Sequence, residues 1–275
     1  MAEISLSLKA RSKVPIDAEA ICPDKLAGKS LSEVASISIW EGNRRIKLGD
    51  LFEIHGSTGE TPETTSIVLE GDLSGVKRIG REMTGGKILV RGSVGFYLGE
   101  KMSGGTVIVE GNAGSWARAC MTGGTIEIKG EAGDFLASGP RGGHRGMAGG
   151  SIVVHGSVGS EAGCWMEDGM IRVGGNVGIF AGIHLSGGTI LIGGDAEGMM
   201  GAGMTGGRVV LLGRTPSILP SFFIDDIRPT VKVGEEKVTG PFYLFVGDVT
   251  EKGDGKMFVS KEKNEHLRIF EKYLP

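Results

Sequence analysis

From residue 64 onward a short aliphatic alternation recurs, closed each time by glycine. The closing residues are Gly71, Gly92, Gly111, Gly130, Gly156, Gly175, Gly194 and Gly213, at intervals of 21, 19, 19, 26, 19, 19 and 19. Two residues before each stand Leu69, Val90, Val109, Ile128, Val154, Val173, Ile192 and Leu211. Four before stand Ile67, Ile88, Val107, Ile126, Ile152, Ile171, Ile190 and Val209. Side chains two apart share one side of a strand, so both rows predict one continuous inward ladder. One residue before the glycine come Glu70, Arg91, Glu110, Lys129 and His155, whose alternating charges favour parallel, in-register stacking. A fixed period with one strand per unit predicts an all-β fold: a right-handed parallel β-helix, or solenoid, of about eight coils of ~19 residues. It occupies residues 64–213. Residues 1–63 form a mixed N-terminal segment, and residues 214–275 form a C-terminal extension with a terminal helix from Glu262 to Leu274. Both flanks are expected to cap the open ends, whose backbone groups otherwise lack partners.

Three departures from the alternation point to contacts. Three before the glycine stand Val68, Leu89, Ile108, Glu127, Val153, Arg172, Leu191 and Val210, largely apolar although this row faces outward. Such a strip is covered either by the chain's own termini or by a partner. Five after the glycine come Val76, Tyr97, Trp116, Phe135, Glu161, Phe180 and Met199, read as structural filling. The third departure is the 26-residue unit, which inserts a basic, glycine-rich loop, Ser138-Gly139-Pro140-Arg141-Gly142-Gly143-His144-Arg145-Gly146. Insertions in repeats tend to fall on the binding face. Arg141, His144 and Arg145 are therefore candidates for partner contact, with Val68, Leu89, Ile108, Leu191 and Val210; a plain surface loop is the competing reading.

Composition narrows the choice of function. Glycine supplies 50 of 275 residues without a three-residue period, which excludes collagen, and 40% hydrophobic residues exclude disorder. A net charge of −3 with interspersed signs gives no nucleic-acid footprint. No signal peptide and no membrane span are read from the sequence, so a cytoplasmic protein with three reduced cysteines, Cys22, Cys120 and Cys164, is expected. The cysteines form no C-x-x-C pair and the five histidines show no ligand spacing, so no metal, cofactor or catalytic residue is assigned. Gly201-Ala202-Gly203-Met204-Thr205-Gly206 spells a dinucleotide fingerprint but joins two coils rather than a strand and a helix. Calcium-binding nonapeptides, hexapeptide acyltransferases and polygalacturonase-like carboxylate pairs also fail to match.

The unit Met-x-Gly-Gly-x-Ile-x-Val-x-Gly-x-Ala-Gly resembles the G-x-x-G-x-x-x-G repeat of the glutamate synthase C-terminal β-helix. Three further stretches narrow the resemblance. These are Pro23–Ser30 with Gly42-Asn43 and Leu48–Ile54, the insert ending His144-Arg145-Gly146-Met147, and the tail Phe245–Asp248 with Gly253-Asp254-Gly255. Together they resemble the C-subunit of formylmethanofuran dehydrogenase over nearly the whole chain. That resemblance implies a non-catalytic scaffold beside a tungsten- or molybdenum-pterin oxidoreductase subunit and an amidohydrolase-like subunit, which reduce carbon dioxide and condense the formate with methanofuran. It implies that pterin, iron–sulfur clusters and a binuclear metal site belong to other subunits. Membership of the bacterial formyltransferase/hydrolase complex and a free-standing glutamate synthase β-helix domain stay open, with an independent β-helix enzyme or carbohydrate binder further off.

Overall fold

A computed structural model describes every residue except Arg118, Ala119 and Arg141. The chain divides into two compact units, Met1–Gly133 and Asp134–Pro275.

The first unit contains strands β1 (Ala2–Leu8), β2 (Ile16–Asp17), β3 (Ser38–Glu41), β4 (Arg44–Lys47), β5 (Phe52–Gly56), β6 (Thr65–Glu70), β7 (Val76–Lys77), β8 (Lys87–Arg91), β9 (Thr106–Val109) and β10 (Thr125–Ile128). Strands β6, β8, β9 and β10 pair in parallel, one per repeat, and set Ile67, Ile88, Val107 and Ile126 in one row. That row and the row of Leu69, Val90, Val109 and Ile128 are fully buried. Burying each such side chain is worth about 1.5–3 kcal/mol, which makes these rows the main cohesive force of the unit. The outward charges also meet as the alternation predicts, with Arg91 2.9 Å from Glu70 and Lys129 4.0 Å from Glu110.

Strand β1 runs parallel to β6 and antiparallel to β5, so the N-terminal segment extends the same sheet. A smaller sheet has the order β4-β3-β2-β7. Helices α1 (Pro23–Leu26), α2 (Leu31–Ser36) and α3 (Leu48–Leu51) are short. A Ser30–Glu33 capping box starts α2: the Ser30 N–H donates to Glu33 at 2.8 Å while Ser30 accepts from the Glu33 N–H.

In the second unit, β11 (Ala148–Val154), β12 (Asp168–Val173), β13 (Thr189–Ile192) and β14 (Arg208–Leu211) repeat the parallel ladder. Strands β15 (Phe223–Val233), β16 (Glu236–Gly247) and β17 (Gly255–Ser260) follow. β17 joins β14 in parallel and then pairs antiparallel with β16, which pairs with β15. The terminal helix is a 3-10 helix, Glu265–Tyr273. Val231, Val233, Phe242, Leu244 and Phe258 pack with Val210 in one core cluster, and Leu191 and Met170 lie against it.

The turns between strands are as regular as the strands. In the first unit Leu73, Val94, Ala113 and Ala132 form successive parallel bridges; in the second Val158, Val177 and Ala196 do so. Residues at two corners adopt left-handed backbone conformations without being glycine, among them Arg78, Tyr97 and Trp116 at one and Trp165 and His184 at the other. Their N–H groups reach the following repeat, as in Tyr97 to the Ser115 carbonyl at 3.2 Å and His184 to the Ala202 carbonyl at 2.8 Å. These bonds offset a conformation that costs about 1–2 kcal/mol per L-residue.

Just after the closing glycine, a side-chain oxygen in five of the repeats accepts an N–H from the next. Ser93 accepts from Asn112 at 3.0 Å and Asn112 from Glu131 at 2.9 Å. In the second unit Ser157 accepts from Asn176 at 3.1 Å, Asn176 from Asp195 at 2.8 Å, and Asp195 from Arg214 at 2.7 Å. The repeated methionines Met83, Met102, Met121, Met147, Met166 and Met204 are all fully buried. The methyl of Met83 lies 2.5 Å from where a Cβ on Gly105 would start, which ties the Met-x-Gly-Gly motif to packing between repeats.

Asp248 is buried and gives a pH-dependent contribution. Burial alone would raise its carboxyl, but hydrogen bonds from the Thr250 hydroxyl (2.6 Å), the Thr250 N–H (3.0 Å) and the Gly203 N–H (3.0 Å) outweigh it and hold the group below the usual carboxylate range. Because the folded value is lowered, the stabilisation is present above about pH 4 and is lost as pH falls through the folded value. Urea unfolding of the Asp248→Asn variant should show a smaller loss of stability between about pH 6 and about pH 3 than the parent; identical slopes would exclude this contribution.

Candidate functional site

The insert leaves and rejoins the second unit at one point. The Met147 N–H donates to the Ala137 carbonyl at 2.9 Å, which ties the two ends of the insert together. Gly143 donates to Pro140 at 2.8 Å and closes a turn, and Gly146 donates to Trp165 at 2.7 Å. Ser138 is buried at the base, while His144 and Arg145 are exposed.

His144 meets Trp165 edge-on at 4.8 Å, and Trp165 stacks on His184 at 4.1 Å with the planes 16° apart. An indole held between two imidazoles anchors the loop to its corner. Arg145 lies 3.7 Å from Glu167 with its side chain 87% exposed, an ion pair in open solvent that contributes little to stability. Arg141 lies outside the described residues. Of the loop candidates, the structure therefore brings His144 and Arg145 together beside Trp165, His184 and Glu167. The repeat period carries a signal for Trp165 and His184, which occupy equivalent positions in consecutive repeats.

The outward strip separates into covered and open parts. Val210 is fully buried under the C-terminal hairpin, and Leu191 packs against the same cluster. Arg172 donates to the Val233 carbonyl at 3.2 Å and pairs with Glu236 at 2.8 Å, fastening the hairpin in place. Val68 is also buried. Val210 and Val68 thus lie within the chain's own fold. Leu89 and Ile108 remain half-exposed and adjacent in register.

Sequence reasoning missed a charged cluster in the first unit. Arg78 pairs with Asp17 and lies 3.4 Å from Glu100; Arg81 pairs with Glu19 and lies 3.3 Å from Glu100. The Arg78 guanidinium covers the Tyr97 ring at 5.5 Å, and Tyr97 stacks on Trp116 at 5.6 Å. In this first unit Arg78, not Val76, takes the left-handed corner position; Val76 is a buried strand residue. The two extra residues of the first repeat account for the shift. Asp17 and Glu19 lie about sixty residues from their partners, so no local spacing could have revealed the cluster.

Among the described residues no group of three or more His, Cys, Asp or Glu could hold a metal ion. Burial pushes the Cys22 thiol up to about 12 and the Cys164 thiol up to about 11, the opposite of an activated nucleophile or thiolate ligand. Among the described residues no helix is long and apolar enough to cross a membrane.

No family model matches the chain. Over 98 residues it is 47% identical to the C-subunit of tungsten-containing formylmethanofuran dehydrogenase 2 from Methanothermobacter wolfeii, a match covering 36% of each chain. It is 38% identical over 98 residues to the C-subunit of molybdenum-containing formylmethanofuran dehydrogenase 1 from Methanosarcina barkeri, covering 36% of this chain and 33% of that one. The matches thus span about a third of these relatives' length. A chain in the crystal structure of the formyltransferase/hydrolase complex from Methylorubrum extorquens, solved with methylofuran, superposes with a TM-score of 0.81 and 30% identity, over 93% of this chain and 99% of that one.

Proposed function

Because the chain belongs to the family of formylmethanofuran dehydrogenase C-subunits, we propose that it is a non-catalytic scaffold within such a complex. In this reading it holds a pterin-metal oxidoreductase subunit beside an amidohydrolase-like subunit, and carbon dioxide is reduced to formylmethanofuran by those partners. Tungsten or molybdenum pterin, iron–sulfur clusters and the binuclear metal site belong to them. The supporting observation is the near full-length superposition on a chain taken from a larger assembly. The parallel ladders with their one-strand step are read as a right-handed parallel β-helix, whose rigid faces suit the fixed docking of large partners.

A second reading keeps the scaffold role but places the chain in a formyltransferase/hydrolase complex. It is favoured by the same superposition, since the dehydrogenase relatives align over only about a third of their length. Purification of the tagged chain from its native cells distinguishes them. Co-elution with a pterin-binding oxidoreductase and an amidohydrolase supports the first, co-elution with a formyltransferase supports the second, and elution alone overturns both.

The insert gives a more local test. Replacing Arg141 and Arg145 with Glu should weaken assembly of the complex at least about tenfold while shifting the melting temperature of the isolated chain by no more than about 2 °C. Unchanged assembly would reduce the loop to a tolerated insertion.

A further inference from the structure

At the tip of the β3–β4 hairpin the first unit carries a depression of 510 Å³ lined by Arg11, Lys13, Val14, Glu41 and Arg44, among others. Its walls are fixed by the chain itself. The Lys9 ammonium donates to the Gly49 carbonyl at 2.6 Å, the Ser12 hydroxyl donates to Glu41 at 2.7 Å, and the Gly42 N–H donates to Pro15 at 2.9 Å. The loop bearing Arg11 and Lys13 is therefore strapped to the hairpin rather than free beside it.

Charge in this depression is unbalanced. Arg11 lies 3.1 Å from Asp72 in an exposed pair, but Lys13 and Arg44 have no carboxylate partner among the described residues. Exposed Val14 adds an apolar rim. On the other side of the same hairpin Trp40 is 44% exposed, with the Arg45 guanidinium 5.0 Å from its ring. Exposed Trp and Arg beside uncompensated cations form a surface of the kind that dominates protein interfaces.

We propose that this hairpin tip docks an acidic segment of a protein partner, whose carboxylates meet Lys13, Arg44 and Arg11 while an apolar side chain packs on Val14. The Glu41 carboxylate, held in the depression by Ser12, can accept a peptide N–H, a donor that a phosphodiester backbone lacks, and the apolar rim at Val14 likewise suits a polypeptide. Charged residues on β4, an edge strand, also discourage strand pairing; that role alone does not account for Lys13 and Arg11, which belong to a different segment. Docking at this tip needs only the isolated chain and is independent of the complex proposed above.

The test titrates the full chain with a fluorescein-labelled peptide rich in aspartate and containing leucine, and separately with labelled single-stranded DNA of equal charge. Saturable peptide binding is expected, weakened at least about tenfold in Lys13→Glu/Arg44→Glu and weakened by added salt. The neutral pair Lys13→Gln/Arg44→Gln should give a smaller loss in the same direction. Lys237→Glu, at an exposed position in the second unit, should leave binding unchanged. Absence of saturable peptide binding, an equal loss in Lys237→Glu, or DNA binding as tight as the peptide would each overturn the proposal.

Discussion

Replacing Gly86 with Ala should destabilise the chain by about 3–5 kcal/mol, as read by urea unfolding. Gly86 has φ +79°, and a Cβ built there would fall 2.2 Å from the Pro62 carbonyl oxygen, 2.7 Å from that of Thr65 and 2.9 Å from the Pro23 Cβ. Two of these atoms are backbone, and the Pro62 oxygen already accepts the Thr65 N–H, so neither neighbour can move aside alone. The strained backbone and the overlap therefore add. Gly75 is the matched control: its φ is unexceptional and no heavy atom lies within 4 Å of its Cβ position. Ala at Gly75 should be neutral or stabilising by up to about 1 kcal/mol through the unfolded chain. Equal effects at the two positions would show that the cost is general helix-or-strand propensity and not the close approach of neighbouring segments.

Asn264→Asp should cost about 3–4 kcal/mol at neutral pH. The Asn264 side chain is completely buried and satisfies three backbone groups. Its amide donates to the carbonyls of Gly213 at 2.9 Å and Ser260 at 2.8 Å, and its oxygen accepts the Thr215 N–H at 2.9 Å. It thereby ties the end of the repeat region to the C-terminal strand. The substitution keeps the acceptor but removes two donors and sets a carboxylate against two carbonyl oxygens. Burial without a cationic partner raises the folded value of the introduced carboxyl, so the defect should be largest well above about pH 4 and shrink as acid restores one donor. A loss that does not change between about pH 7 and about pH 4.5 would contradict the buried carboxylate and point to a local rearrangement instead.

The inward rows were legible because both carry aliphatic residues at every repeat, and burial against a strand face demands nothing more specific. Opposite charges at Glu70 and Arg91 were legible for the same reason: one period aligns them. The corners were not. Nothing in Arg78, Tyr97 or Trp165 announces a left-handed backbone, because the bond that offsets the strain comes from another repeat's carbonyl and leaves no mark on residue type. The cover over Val210 was equally hidden. Phe242–Val246 reads as a strand, but only pairing with both β15 and β17 turns it into the hairpin that buries the outward row. In the insert, charge and glycine content pointed to the loop, while the imidazole–indole–imidazole stack depended on a repeat length that brings Trp165 and His184 together.

Alternating aliphatic strands have a weakness: sliding one strand by two residues still sets hydrophobic against hydrophobic. The oxygens of Ser93, Asn112, Ser157, Asn176 and Asp195 forbid that slide. Each serves one N–H in the following repeat, and a two-residue displacement would leave both donor and acceptor unanswered. Grease sets which side is in, and these five polar atoms do the counting. They act as a ruler along the repeats, its divisions marked one side chain at a time.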